Sequence, residues 1–498
     1  MLFEDLFLEK ADLQKFQMFR VLKAIGNHSL TINDISDKLH LSYQQTYNTF
    51  QDLLRDMRSL DTQLDTPVDR HELLSQQTFK ISLDRYRLFL LEQSLVFQFI
   101  DYLVQAPTPT VNDFCEQHFV SKSTLLRKSA GLKRFMAQYS LRFSYTDLQI
   151  TGNESHIRYF LFIVYWTGFH GIKWPWQNFS AADIERIFTT ANPQPTAPIF
   201  KLQQLLLLGI MRLRINHGYY IRDATCFNIL TDHNSAFDEL VFPTELFGNL
   251  ATKNRHNEAK FFFFAQFSLI TAVTGSQTQA QLVLTHFAAE DDPIWRLTVN
   301  FLAKLTATFH TKITPADEPI LTYDVLRVLL TTIALQTRYP KMLDFYRPDL
   351  TNFKSTQLYQ IIAQFFEQPG LTETLPQLYR NRQTVSEYVC YLLQPQLHHL
   401  EDQQMVHVWL IAENNDLLTT ELQRLLKHIR IAQLMTPPAR PQDADLIIST
   451  IDSQAPLMQE MAAYGVPLLH WNLEANGSDF FRLYAKIKTL YAAKMTTK

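Results

Sequence analysis

Glycine is scarce in this chain, 12 in 498 residues, where an average protein has about 7%. Neither GxGxxG nor GxxxxGKS/T occurs, so no loop that cradles the phosphates of a nucleotide is expected. Cysteine is scarcer still. Cys115, Cys226 and Cys390 lie far apart without a CxxC pair, which argues against a zinc ribbon and a disulfide framework and favours a reducing compartment. Long apolar runs are also lacking: YFLFIVYW and FFFFAQFSLITAV fall short of the ~20 residues of a membrane helix. The amino terminus, MLFEDLFLEK, carries acids where a signal peptide carries cations. The expectation is a cytoplasmic protein of several domains, since 498 residues exceed the roughly 100–200 typical of one. With 46% hydrophobic and 19% charged residues and a net charge of −3, a surface for nucleic acid has to be local.

Such a surface is present. From Val120 to Arg142 the chain holds Lys122, Arg127, Lys128, Lys133, Arg134 and Arg142 and no acid. At 100° per residue Leu125, Leu132 and Met136 share one arc, while Ser123, Arg127, Gly131 and Arg134 fall opposite. The segment before it reads as a helix, LEQSLVFQFIDYLV, and a shorter one, TVNDFCEQHF, capped by Thr110 and burying Val111, Phe114 and Cys115. After it, SLRFSYTDLQITGNES alternates as two short strands around Tyr145-Thr146-Asp147. Helix, turn, basic helix and hairpin make a winged helix-turn-helix, whose second helix enters the major groove. Lys122, Lys128, Lys133, Arg134 and Arg142 then neutralise phosphates, and Ser123, Thr124 and Arg127 reach bases.

About eighty residues earlier the same plan occurs. DLQKFQMFRVLKAI carries Leu13, Phe16, Phe19 and Leu22 at helical spacing; TINDISDKLH follows with Thr31 as cap and Ile32, Ile35 and Leu39 on one face. YQQTYNTFQDLLRDM then has a stripe of Tyr43, Tyr47, Phe50, Leu54 and Met57, which turns Gln44, Gln45 and Asn48 outward, where amides can pair with adenine edges.

The fold class expected is mainly α and multidomain. Residues 1–68 form a first helix-turn-helix domain and 85–156 a second, winged one. Helical patterns fill 157–288 and 289–397, two bundles parted near AAEDDP. From 402 to 498 strands (MVHVWLIA, IRIAQLM, ADLIIST, VPLLHWN) alternate with helices, the pattern of a small open α/β domain with a mostly parallel sheet. The cluster His398, His399, Glu401 and His407 lacks the HExxH form and straddles a linker and a strand, so neither metal nor cofactor is expected.

This order of domains, the stretch YSLRFSYTDLQITGNESHIRYFLFIVYW after a basic helix, and the ending DADLIIST with YGVPLLHWNL resemble the Mga-type transcriptional regulators of Gram-positive bacteria. The resemblance implies a non-enzymatic activator that binds promoter DNA as a homodimer through its C-terminal domain. It also implies helical domains like phosphotransferase-system regulation domains, phosphorylated on histidine by the phosphocarrier protein, and a terminal domain like an enzyme IIB. His217, beside Arg212 and Arg214, is the leading acceptor, followed by His233 and His286 and, in the second helical domain, His310. MVHVWLIAENND lacks the phosphocarrier cysteine of an enzyme IIB, so the terminal domain is expected to be a scaffold. An RNA-binding antiterminator with the same regulation domains is the alternative; it calls for an aromatic strand surface at the amino terminus.

Overall fold

The computed structural model describes residues 3–25, 31–60, 81–146, 148–191, 198–248, 250–270, 277–309, 313–345, 354, 356–397, 405–412, 420–429, 431–435, 440–451, 455–471 and 477–496. The chain is mainly α and multidomain. Its contacts divide it into two units, Met1–Leu282 with Leu330–Pro348, and Val283–Leu329 with Asp349–Lys498.

The first unit opens with α1 (Phe3–Phe7), α2 (Lys10–Ile25), α3 (Ile32–Leu39) and α4 (Tyr43–Leu60). Phe3, Leu6 and Phe7, spaced by three and four, are buried, as are Phe16, Phe19 and Leu22 of α2. Thr31 caps α3 in a reciprocal box with Asp34. In α4 the buried stripe is Thr46, Thr49, Phe50, Leu53, Leu54 and Met57, which corrects the tyrosine stripe read from the sequence. Tyr43, at the first helical position, is 55% exposed. The Thr46 hydroxyl donates to the Ser42 carbonyl (2.9 Å), and a satisfied hydroxyl is buried at little cost.

Next come α5 (Leu83–Gln93), α6 (Leu95–Gln105), α7 (Val111–Gln117), α8 (Lys122–Ala137), β1 (Arg142–Phe143) and β2 (Ile150–Thr151). The single helix expected across Leu91 to Val104 is broken at Ser94. Its hydroxyl caps α6 at Phe97 and donates to the Phe7 carbonyl at 2.5 Å, a long-range bond that a local pattern does not reveal. β1 and β2 pair antiparallel, Arg142 with Thr151 and Phe143 with Ile150. The helices α9 (Glu154–Phe169), α10 (Ala181–Ala191), α11 (Pro198–Asn216), α12 (Asn228–Thr231), α13 (Ser235–Asp238) and α14 (Thr252–Ser268) follow. α9 is apolar on nearly every face and buried along its length. The returning segment 330–345 packs here too: the Phe345 ring lies 4.9 Å from Phe135 and 6.2 Å from Phe3.

Beyond α14 come α15 (Gln277–Glu290), α16 (Pro293–Phe309), α17 (Pro319–Leu335), α18 (Gln357–Phe366), α19 (Gly370–Thr374), α20 (Pro376–Arg380) and α21 (Arg382–Leu397). The α/β region contains β3 (Val406–Ile411), α22 (Thr420–His428), β4 (Ala432–Leu434), β5 (Leu446–Ser449), α23 (Pro456–Ala462), β6 (Leu468–His470) and α24 (Gly477–Thr496). All four strands read from the sequence form one parallel sheet in the order β4-β3-β5-β6. Leu483 and Ile487 of α24 are buried on one face of it with Val406, Val408 and Leu446, while Met458 of α23 packs on Ile447 on the other. Phe480 meets Trp471 edge to face, ring centroids 5.0 Å apart, whereas Phe481 and Tyr484 face outward, 63% and 45% exposed. No described helix is long and apolar enough to cross a membrane.

Candidate nucleic-acid interface

The second module is built around α7, a turn and α8. Thr110 caps α7 by accepting from the Asp113 amide (3.1 Å). At the other end the amide of Phe119 donates to the Glu116 carbonyl (3.3 Å) and that of Val120 to Cys115 (3.0 Å). These two bonds, with Phe119 at φ 52°, form a Schellman stop. Ser121 immediately caps α8, accepting from the Thr124 amide at 3.2 Å. Leu125, Ser129, Leu132, Phe135 and Met136 turn inward, and Phe99 joins α6, α7 and the strand pair through rings 5.1 Å from Phe114 and 5.8 Å from Phe143. Cys115, expected in the core, is half-buried.

The first module repeats this at a constant offset. Thr31 caps α3 as Thr110 caps α7; His40 is left-handed at φ 52°, like Phe119; Ser42 precedes α4 as Ser121 precedes α8. Each pair is 79 positions apart, Thr31 to Thr110. The same offset pairs Gln44 with Ser123, Gln45 with Thr124 and Asn48 with Arg127. The outward residues read from the two segments therefore occupy equivalent places on equivalent helices.

Their surroundings differ. Lys122, Ser123, Arg127, Lys133, Arg134 and Arg142 are exposed, and Thr124 and Lys128 half-buried. Among the described residues Lys122, Arg127, Arg134 and Arg142 hold no intramolecular ion pair. Lys128 pairs with Glu9, and the Lys133 ammonium lies 4.9 Å from the Tyr145 ring, whose hydroxyl meets that of Ser129 at 2.8 Å. In the first module Gln44 donates to the Asn48 side chain (3.0 Å). The Gln45 side-chain carbonyl accepts from the amide and hydroxyl of Ser42 (3.2 and 3.1 Å). That is a capping box of the S-x-x-Q form, a signal present in SYQQ that ties up one of the three amides.

His217 ends α11 in a turn, half-buried. Burial, and then the charge of Arg214, push its imidazole below the usual range, which favours the neutral form. Beneath lies a charge network that the sequence does not announce. The fully buried Arg158 donates to both carboxylate oxygens of Glu258, to Glu154 and to the Tyr219 carbonyl. Arg214 donates to both oxygens of Glu154 (3.0 and 2.7 Å), and Glu258 accepts from the Ile221 amide at 2.9 Å. A cleft of about 420 Å3 opens beside it between Asn153 and Ile221. His233 is exposed in a left-handed turn. His286 packs on Phe287 at 5.2 Å and belongs to the unit that begins at Val283. His310, His398, His399, Glu401 and Asp147 lie outside the described residues. The His407 ring lies 3.6 Å from Asp445, and among the described residues no three His, Cys, Asp or Glu side chains converge as a metal site.

Residues 79–165 match the model of the Mga helix-turn-helix domain, a span that contains α5 to α8, the strand pair and most of α9. Over 143 residues the chain is 23% identical to a "Putative trans-acting regulator" of Streptococcus pneumoniae serotype 4 (strain ATCC BAA-334 / TIGR4). That alignment takes in 28% of this chain and 29% of the relative, so the chain spans less than a third of the protein it matches. The helix-turn-helix, its basic second helix and the strand pair fall together inside the matched span, so it is this region of the chain, residues 79–165, that is similar to the Mga helix-turn-helix domain.

Proposed function

We propose that this protein is a DNA-binding transcriptional regulator that reads duplex promoter DNA chiefly through α8, with α4 as a second reader. The observation that carries the reading is the pair of equivalent turn-and-helix modules 79 positions apart. In the second of them Ser123, Thr124 and Arg127 lie at the start of a helix bordered by the unpaired cations Lys122, Arg134 and Arg142. Arg127 reads a base; Lys122 and Arg142 hold phosphates. Lys128 and Lys133, already engaged with Glu9 and Tyr145, contribute less to phosphate binding than exposure alone suggests.

Fluorescence anisotropy across a salt series, on the duplex upstream of the chain's own coding sequence and on a scrambled duplex, tests this. Arg127→Ala should cost ~1–3 kcal/mol on the matched duplex alone, and Lys122→Ala should weaken both alike and lower the salt slope by about 1. Binding to a structured RNA leader in place of duplex would instead establish the antiterminator.

The protein acts as an activator, and its output is tuned by phosphorylation of His217 by the phosphotransferase-system phosphocarrier. A neutral, half-buried imidazole beside Arg214 is nucleophilic, and a phosphate there adds charge next to the Arg214–Glu154 pair. Radiolabel transfer from the phosphocarrier should be lost in His217→Ala; full labelling of that variant would remove the assignment.

A further inference from the structure

We propose that Phe119 is a further DNA-contacting residue of the second module, its ring entering the major groove ahead of α8 and packing on a thymine methyl. The inference rests on the DNA-binding reading of α8. Two features of Phe119 have no return inside the chain. Its backbone is left-handed, at φ 52°, in the position of a Schellman stop that glycine usually fills because a Cβ is strained there. Its side chain is 96% exposed, so the ring contributes nothing to the core that Val111, Phe114 and Leu125 form beneath it. Glycine would make the same turn without strain and without a solvated ring.

Position decides the occupant. Phe119 is two residues before the cap Ser121 and three before Lys122, the first residue of α8. In a helix-turn-helix the first residues of the second helix reach base edges, so a ring just ahead of them stands at the groove. The neighbouring free cations, Lys122 and Arg127, draw a polyanion to this end of the helix. A phenyl ring offers no hydrogen bond, and the apolar group that a major groove presents is the C5 methyl of thymine.

The test uses the full chain and its upstream duplex, with each thymine replaced singly by uracil. Wild type should lose about fourfold in affinity at one or two of these positions, the effect of removing one methyl-sized contact. Phe119→Gly should bind the thymine duplex about tenfold more weakly, be indifferent to uracil at those positions, and unfold at a higher temperature because the turn is relieved. Phe119→Leu, with a smaller apolar side chain, should retain part of the thymine preference. Wild-type affinity in Phe119→Gly, or an equal loss on thymine and uracil duplexes, would overturn the contact and leave the ring to a protein partner. Failure of wild type to bind any duplex would strike the DNA reading itself, a separate outcome visible before any variant is made.

Discussion

Arg158 shows what a single residue can hold. It is 0% exposed and joined to Glu258, Glu154 and the Tyr219 carbonyl, so removing it strands carboxylates in the interior. Arg158→Met should destabilise the unit by about 3–5 kcal/mol, the range for breaking one side of a buried ion pair. It should also make the fold more sensitive to acid. Burial is the largest influence on Glu154 and pushes its carboxyl up, but Arg214 and Arg158 outweigh it and hold the group below its ordinary value. A depressed carboxyl contributes stability that is fully present above its unfolded pKa and is lost as pH falls through the folded one. With Arg158 gone the folded pKa rises, so the acid unfolding midpoint, followed by tryptophan fluorescence, should move to higher pH; an unchanged midpoint would deny Arg158 its part in holding Glu154 ionised. None of this was legible in IRYFLFIVYW, where one arginine sits in an apolar run and its partner Glu258 is 100 positions away. Thr31, Thr110 and Ser121 were a different case: each caps a helix through an amide three residues on. Local bonds of this kind leave a local signature.

Among the elements, legibility followed the same division between local and distant causes. The period of three and four identified α2, α3, α7 and α8, and the alternation after Ser140 identified the strand pair, because each of these patterns faces one side of its own segment. The four strands of the terminal sheet were legible as short apolar runs bounded by turn residues, and their mostly parallel direction followed from the helices between them, though not their order. The reading failed where packing elsewhere set the outcome. Ser94 interrupts an unbroken apolar pattern because its hydroxyl is drawn to the Phe7 carbonyl. In α4 the choice between tyrosines and threonines for the buried stripe was decided by a hydroxyl that finds the Ser42 carbonyl, and a polarity count weighs that threonine wrongly. α1 was taken only for its acids. Its Phe3, Leu6 and Phe7 had the spacing of a buried face, and Phe3 and Phe7 meet Phe345 and Phe97. Of the outward cations on α8, sequence pattern gave the exposure but not which were already engaged, since Glu9 lies 119 positions from Lys128.

At the scale of the whole molecule the proposed function asks how a chain with net charge −3 would grip a polyanion with a few free cations. Repetition answers it: each chain carries two equivalent modules, and a dimer would carry four. We propose that the chain forms a dimer and that α24 supplies the contact. Of the apolar residues on this helix, Leu483 and Ile487 are buried against the sheet and Phe480 lies on Trp471; Phe481 and Tyr484, three positions apart and so on one face, are exposed. Linking two readers makes the second binding event intramolecular at a millimolar effective concentration, which raises affinity 10²–10⁴-fold when the geometry allows both to engage. Phe481→Glu places a charge in that face without touching the core side of the helix. Sedimentation should then give the monomer mass, and affinity for the full upstream duplex should fall by at least about tenfold, while binding to a short duplex holding one site should be unchanged. A dimer mass in Phe481→Glu would move the contact away from α24. A monomer mass with undiminished affinity would show that the two modules within one chain are sufficient, and that the terminal domain serves something other than the grip on DNA.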